Sequence, residues 1–389
     1  MKPGIRSLRI AQVAPLFESC PPQLYGGTER IVSYLTEELV KEGHQVTLFA
    51  SGDSITEARL IPCVKTAIRL NPAIKIECIY SMLMFEKVLQ MEDQFDIIHF
   101  HTDFLSFGLF RHLASKCITT IHGRCDIEDL PLVYAEYKDM KIVSISDNQR
   151  IPLLGIANFY ATVYHGIPPL RFSLTPFNGG YLAFLGRISP EKRPDRAIEI
   201  AQKAGIKLRI AAKVDKADQE YYDREIKPMI DGNPLVEFIG EINQEQKSDF
   251  LGNAIALAFP IDWPEPFGIV MIEAMSCGTP VIAYPHGSVR EVIDDGISGI
   301  LVESIEEAVA AVPRAAAMDR RLVRKTFDDR FSVPNMAKNY IQLYEKMLHA
   351  KKLEDSTKTS TLIEQILSAA DGGALPMSAI NSAIKQQAA

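Results

Sequence analysis

Short apolar runs alternate with amphipathic stretches along this chain, and the alternation starts twice. LRIAQVA at Leu8, QVTLFAS at Gln45, IIHFHT at Ile97, ITTIHG at Ile118 and KIVSIS at Lys141 form the first series. YLAFLGRI at Tyr181, KLRIAAK at Lys207, VEFIGEI at Val236, AIALAFPI at Ala254, VIAYP at Val281 and GILVE at Gly299 form the second. Runs that stay apolar throughout belong to strands covered on both faces, which is the form of a parallel sheet with helices on either side. The sequence therefore predicts an α/β fold of two doubly wound domains, residues 1–170 and 171–335, joined through the proline- and glycine-containing segment RFSLTPFNGG (Arg171 to Gly180). A helix over 336–350 is expected to close the second domain or cross back to the first. The polar tail 351–389, with one weak amphipathic patch around Leu362 to Leu367, carries no readable chemistry.

A chain of 389 residues that is 47% hydrophobic and 23% charged can bury two such cores. The formal net charge of −7 argues against nucleic acid as a partner and requires any phosphate contacts to be concentrated. The six cysteines, Cys20, Cys63, Cys78, Cys117, Cys125 and Cys277, show no zinc-like spacing, so reduced thiols, a cytoplasmic location and no metal are expected. No run reaches transmembrane length. The mixed charge of TERIVSYLTEELVKEG gives little basic support for peripheral membrane contact.

In open α/β sheets ligands bind beyond the carboxyl ends of strands, so the informative residues should stand just after them. The stretch EPFGIVMIEAMSCGTPVIA, Glu265 to Ala283, reads as the turn from a strand into a helix that starts near Gly268 and stops at Gly278. The free amides of Phe267, Gly268 and Ile269 would form an anion site at that helix terminus. Glu265 and Glu273 flank it and suit hydroxyl groups rather than phosphate. A sugar nucleotide has both parts.

FLGRISPEKRPD places Arg187 and Lys192 at another strand end, where two cations can neutralise a diphosphate. In the first domain, Gly26 and Gly27 stand before Thr28, read as the N-cap of an amphipathic helix, and let backbone approach a ligand closely. The pattern is not G-x-G-x-x-G, so NAD is a weak reading. His101 and His122 end consecutive strands, and His165, Ser144 and Ser146 occupy similar positions with weaker claims. The loops Pro21 to Tyr25, Ile55 to Cys63 and Arg124 to Asp139 carry no motif that identifies a second substrate.

These residues resemble a known family. Glu265-x-Phe267-Gly268-x-x-x-x-Glu273 resembles the E-x7-E signature of the family-four retaining glycosyltransferases, which have the GT-B fold of two facing Rossmann-like domains with an interdomain cleft. GRISPEKRPD is similar to the family's G-R-x-x-x-E-K-x-x-D loop, GGTERIV to its first glycine loop, TTIHG to its T-x-H strand end, and SVREVIDDGISGILV to a further segment that contributes Glu291. The resemblance runs to about Leu348. It implies transfer of a hexose from a nucleoside-diphosphate sugar, UDP-glucose by family frequency, to a hydroxyl of a glycan, lipid or small metabolite, without metal or other cofactor. Arg187 and Lys192 would hold the diphosphate with the Gly268 and Ile269 amides, Glu273 the ribose and Glu265 the transferred sugar. Gly27 and His122 would sit near the reacting centre.

The chain departs from the family at His165-Gly166-Ile167-Pro168, where many relatives carry a carboxylate at the last position. Rival readings are a catalytically silent nucleotide-sugar sensor, a GT-B epimerase, a pyridoxal-dependent phosphorylase and a dehydrogenase.

Overall fold

The structure, a computed structural model, describes residues 7–23, 26–170 and 179–371. Most of the predicted linker at Arg171 to Gly180, and the tail beyond Asp371, lie outside the described residues. The chain falls into two units, Met1–Tyr340 and Ile341–Ala389.

The first unit contains two parallel sheets. One has seven strands: β1 (Arg9–Val13), β2 (Gln45–Ser51), β3 (Arg59–Val64), β4 (Ile97–Phe100), β5 (Cys117–Thr120), β6 (Lys141–Ser144) and β7 (Phe159–Thr162), in the order β3-β2-β1-β4-β5-β6-β7. The other has six: β8 (Tyr181–Arg187), β9 (Lys207–Lys213), β10 (Val236–Gly240), β11 (Ala256–Phe259), β12 (Val281–Ala283) and β13 (Gly299–Leu301), in the order β10-β9-β8-β11-β12-β13. The apolar runs explain the arrangement. All four residues of β4 and of β11 are buried, because helices cover the sheets from both sides.

Each sheet reverses its direction of winding beside its first strand, between β1 and β4 and between β8 and β11. That is where a doubly wound sheet opens a crevice at its carboxyl edge. The first core packs Phe49, Phe85, Phe100, Phe107 and Phe110 beneath this edge, and the second packs Leu182, Ile198, Leu208, Ile210 and Ile282.

Local chemistry sets the helix ends. The helix Pro194–Ala204 begins on a proline and ends at Gly205, which has φ 65°; the helix Gln244–Gly252 begins with an Asn243–Gln246 capping box. After β7 the chain pairs Ile167 with Ser332, and the first residues of the helix Val333–Asp371 lie against that strand end, with the Gly166 N–H 3.2 Å from Met336 Sδ. In the same unit the Tyr340 hydroxyl reaches Thr120 Oγ1 at 2.9 Å. The second unit begins within this helix, which continues to Asp371.

Four local expectations are corrected. The helix after the glycine pair begins at Gly27 with Gly26 as its N-cap, so Thr28 lies in the first turn and caps nothing. Part of the Ile55 to Cys63 loop is strand β3, where Pro62 is tolerated because β3 is an edge. Within Arg124 to Asp139, Leu130–Glu136 is helical. The helix that the sequence places at 336–350 runs from Val333 to Asp371 and takes in the first part of the polar tail.

Candidate active site

One cavity of about 960 Å³ receives residues from both crevices, a size at the upper end for a small-molecule site. Its second-domain wall is built on the turn after β11. Gly268 has φ 78° and starts the helix Ile269–Ser276. That backbone favours glycine, and a Cβ there would have to push aside the flexible end of Met271, whose Cε would stand 2.6 Å away.

Glu265 is 8% exposed. Its carboxylate is held by Lys192 and, at 3.0 Å, by the Trp263 indole N–H, while the Lys192 ammonium sits 4.6 Å above the Trp263 ring. Glu273, at 2% exposure, accepts a 2.6 Å bond from Lys247. The two glutamates of the motif are thus two carboxylates fixed by ammonium groups on either side of a helix N-terminus, and both line the cavity. Arg187 lines it too, 2.8 Å from Glu191 and within 4 Å of Asp215 and Asp218. The side chain of Phe267 packs edge-on to His165 at 5.0 Å and against Tyr164 and Phe331 at 6.0 Å.

The first-domain wall faces this turn. A Cβ on Gly27 would stand 3.7 Å from Ile269 Cδ1, an ordinary contact, whereas one on Gly26 would strike Pro22. Behind them lies a buried relay. Gln12 Oε1 is 2.7 Å from His101 Nε2, and His101 Nδ1 is 2.9 Å from His122 Nε2. His122 stacks on His165 at 5.1 Å, and His99 lies 4.1 Å behind His101.

Burial pushes His122 down to about 3 and is the leading cause that holds His99, His101 and His165 well below the usual imidazole range; for these three, repulsion from the charged forms of neighbouring rings adds to it. All four rings are neutral near pH 7. Unfolding releases them to protonate near 6.5, so the unfolded chain binds more protons than the folded one as pH falls toward 6, and stability falls with it. Each such ring contributes a loss on the order of 1 kcal/mol between about pH 7.5 and about pH 6. Thermal melts over that window are expected to show a falling midpoint, with a smaller fall for His165→Phe.

Among the sequence-derived candidates, Arg187, Lys192, Glu265, Phe267, Gly268, Ile269, Glu273, Gly26, Gly27, His101, His122 and His165 line this one cavity. Glu291 does not. Its carboxylate accepts the Asp147 and Asn148 N–H groups, both at 2.7 Å, and it clamps the turn after β6 to the second domain. Ser146 does similar work by donating to the Pro266 carbonyl at 2.7 Å, and Ser144 bonds Thr162. Sequence reasoning missed Lys247, Trp263 and Asp103. Trp263, the single tryptophan, stood in view beside Glu265, whereas Lys247 lies in a polar helix with nothing to mark it.

The comparisons decide the family. Residues 171–325 match the model of glycosyl transferases group 1, and residues 25–146 match that of glycosyltransferase family 4. The chain belongs to the family-four glycosyltransferases. An uncharacterized glycosyltransferase of Methanocaldococcus jannaschii is 25% identical over 377 residues, covering 84% of this chain and 95% of that one. The sucrose-phosphate synthase of Thermosynechococcus elongatus superposes with a TM-score of 0.72 at 19% identity, over 89% of this chain and all of that one. HepE of Anabaena, solved in complex with UDP-glucose, superposes at 0.65 with 15% identity, over 88% of this chain and all of that one. The glycosyltransferase has the GT-B fold. No helix among its described residues is long and apolar enough to cross a membrane.

Proposed function

We propose that this glycosyltransferase moves a hexose, with retention of anomeric configuration, from a nucleoside-diphosphate sugar of the UDP-glucose type to an acceptor hydroxyl, and that it needs no metal or other cofactor. The observation that carries the reading is the convergence of Lys192, Arg187 and the Gly268 helix terminus on a cavity whose two motif carboxylates, Glu265 and Glu273, are already fixed by ammonium partners. A GT-B relative that holds UDP-glucose supports the choice of donor.

As the anomeric bond breaks, negative charge builds on the departing diphosphate. Two cations and a helix terminus stabilise it by preorganised electrostatics, the role a divalent cation plays elsewhere. Glu273 accepts hydrogen bonds from the ribose hydroxyls and Glu265 from those of the transferred sugar. In front-face attack the leaving phosphate oxygen takes the acceptor proton, so no protein nucleophile is needed. Domain closure over the cavity excludes water.

The test is to supply UDP-glucose, follow release of UDP, and read the anomeric configuration of the product by NMR. Nucleotide release with an α-configured product is expected. An inverted product would refute the retaining mechanism, and binding of donor without release under any acceptor would favour the silent sensor.

A further inference from the structure

Directly after β4, the first-domain wall holds a carboxyl that the donor chemistry does not use. Asp103 has φ 49°, a left-handed backbone that costs a non-glycine residue on the order of 1 kcal/mol and persists where the surroundings impose it. What is imposed here is a half-buried carboxyl lining the cavity with Thr28, His101, His122 and Arg124. Among the described residues no cation pairs with it. Burial, only partly offset by the nearby backbone N–H of His122, pushes the carboxyl up to about 6. A carboxylate offers about four lone-pair sites, and enclosing spare ones costs free energy unless donors reach them from the cavity. Glu265 and Glu273 serve this purpose on the second-domain wall; Asp103 stands on the first.

We propose that Asp103 forms an acceptor subsite for a polyhydroxylated molecule, accepting a hydrogen bond from a second hydroxyl beside the attacking one. The proposal rests on the transferase reading above. In the transfer the acceptor oxygen bonds to the anomeric carbon as the bond from that carbon to the diphosphate breaks. The attacking hydroxyl's proton passes to the departing phosphate oxygen. Asp103 takes no proton and keeps its bond to the neighbouring hydroxyl throughout.

The experiment compares native enzyme with Asp103→Asn and Asp103→Gly, both of which tolerate a left-handed backbone and should melt no lower than native. Nucleoside diphosphate release from the bound donor is followed with water alone, with methanol, and with glycerol or myo-inositol as probes. The native enzyme is expected to favour a polyol over methanol in kcat/KM by roughly ten-fold or more. Asp103→Gly should lose that preference and Asp103→Asn, which keeps a neutral acceptor oxygen, should weaken it, while donor affinity and hydrolysis by water stay within about two-fold of native. A preference that survives intact in Asp103→Gly, or a native enzyme with none, overturns the proposal. Weakened donor binding in the variants overturns it too, by assigning Asp103 to the donor. Failure of the native protein to bind any donor, seen in the same titration, would instead bring down the transferase reading on which it rests.

Discussion

Replacing Lys192 by alanine is expected to lower turnover with the donor by about 10²–10³-fold, the usual effect of removing one preorganised group from developing oxyanion charge. The ammonium is anchored by Glu265 and the Trp263 ring, so little reorganisation is needed when charge appears on the diphosphate. Stability should fall as well, because Glu265 is nearly enclosed and keeps only the Trp263 N–H on its carboxylate. With the lysine side chain itself 17% exposed, water can compensate part of that, so the loss should be about 1–2 kcal/mol rather than the larger cost of breaking a fully buried pair. Steady-state kinetics and a denaturant titration on the same preparation separate the two effects. A variant that turns over normally would remove Lys192 from the chemistry. One that fails to fold would show its role to be chiefly structural.

The Gly268→Ala substitution should act on both levels at once. At φ 78° an alanine is strained by about 1–2 kcal/mol, and its Cβ must displace the end of Met271 and crowd Glu265 Cγ at 3.3 Å. By pressing on Met271, Glu265 and Phe259, the methyl group should shift the turn that presents the amides at the start of the helix Ile269–Ser276. Donor affinity is therefore expected to drop by at least 10-fold, more than the stability change accounts for, since strain alone lowers the folded fraction and leaves the affinity of folded molecules intact. Calorimetric titration with a nucleoside diphosphate checks it. Native affinity in the folded variant would mean that the helix terminus does not hold the phosphate.

The contrast between these residues and Asp103 shows which information is local. Lys192, Gly268 and both motif glutamates sit within a few positions of a strand end, and strand ends are visible as apolar runs stopped by glycine and proline. The two-domain fold followed from the same signal. Strand β3 did not, because Pro62 and the mixed run RLIPCV look like a loop until an edge position makes the missing N–H harmless. Lys247 meets Glu273 across 26 residues, and Tyr340 meets Thr120 across 220, separations at which periodicity says nothing. The HTD run contained Asp103 in plain sight, yet its left-handed backbone and enclosed carboxyl are properties of how β4 and β5 lie together. Glu291, matched only through its segment, has a carboxylate that accepts two backbone N–H groups of the first domain, contacts 143 and 144 residues away that the sequence does not announce.

The central claim is that the second-domain wall holds a nucleoside-diphosphate sugar, and calorimetry of UDP, GDP and ADP with their hexose conjugates, on native protein and Glu273→Ala in parallel, tests it most directly. Micromolar binding of one nucleotide, weakened 30-fold or more when the Glu273 carboxylate is removed, is the predicted result, equivalent to about 2 kcal/mol. Absence of binding to every nucleotide, or equal binding by the variant, would contradict the account.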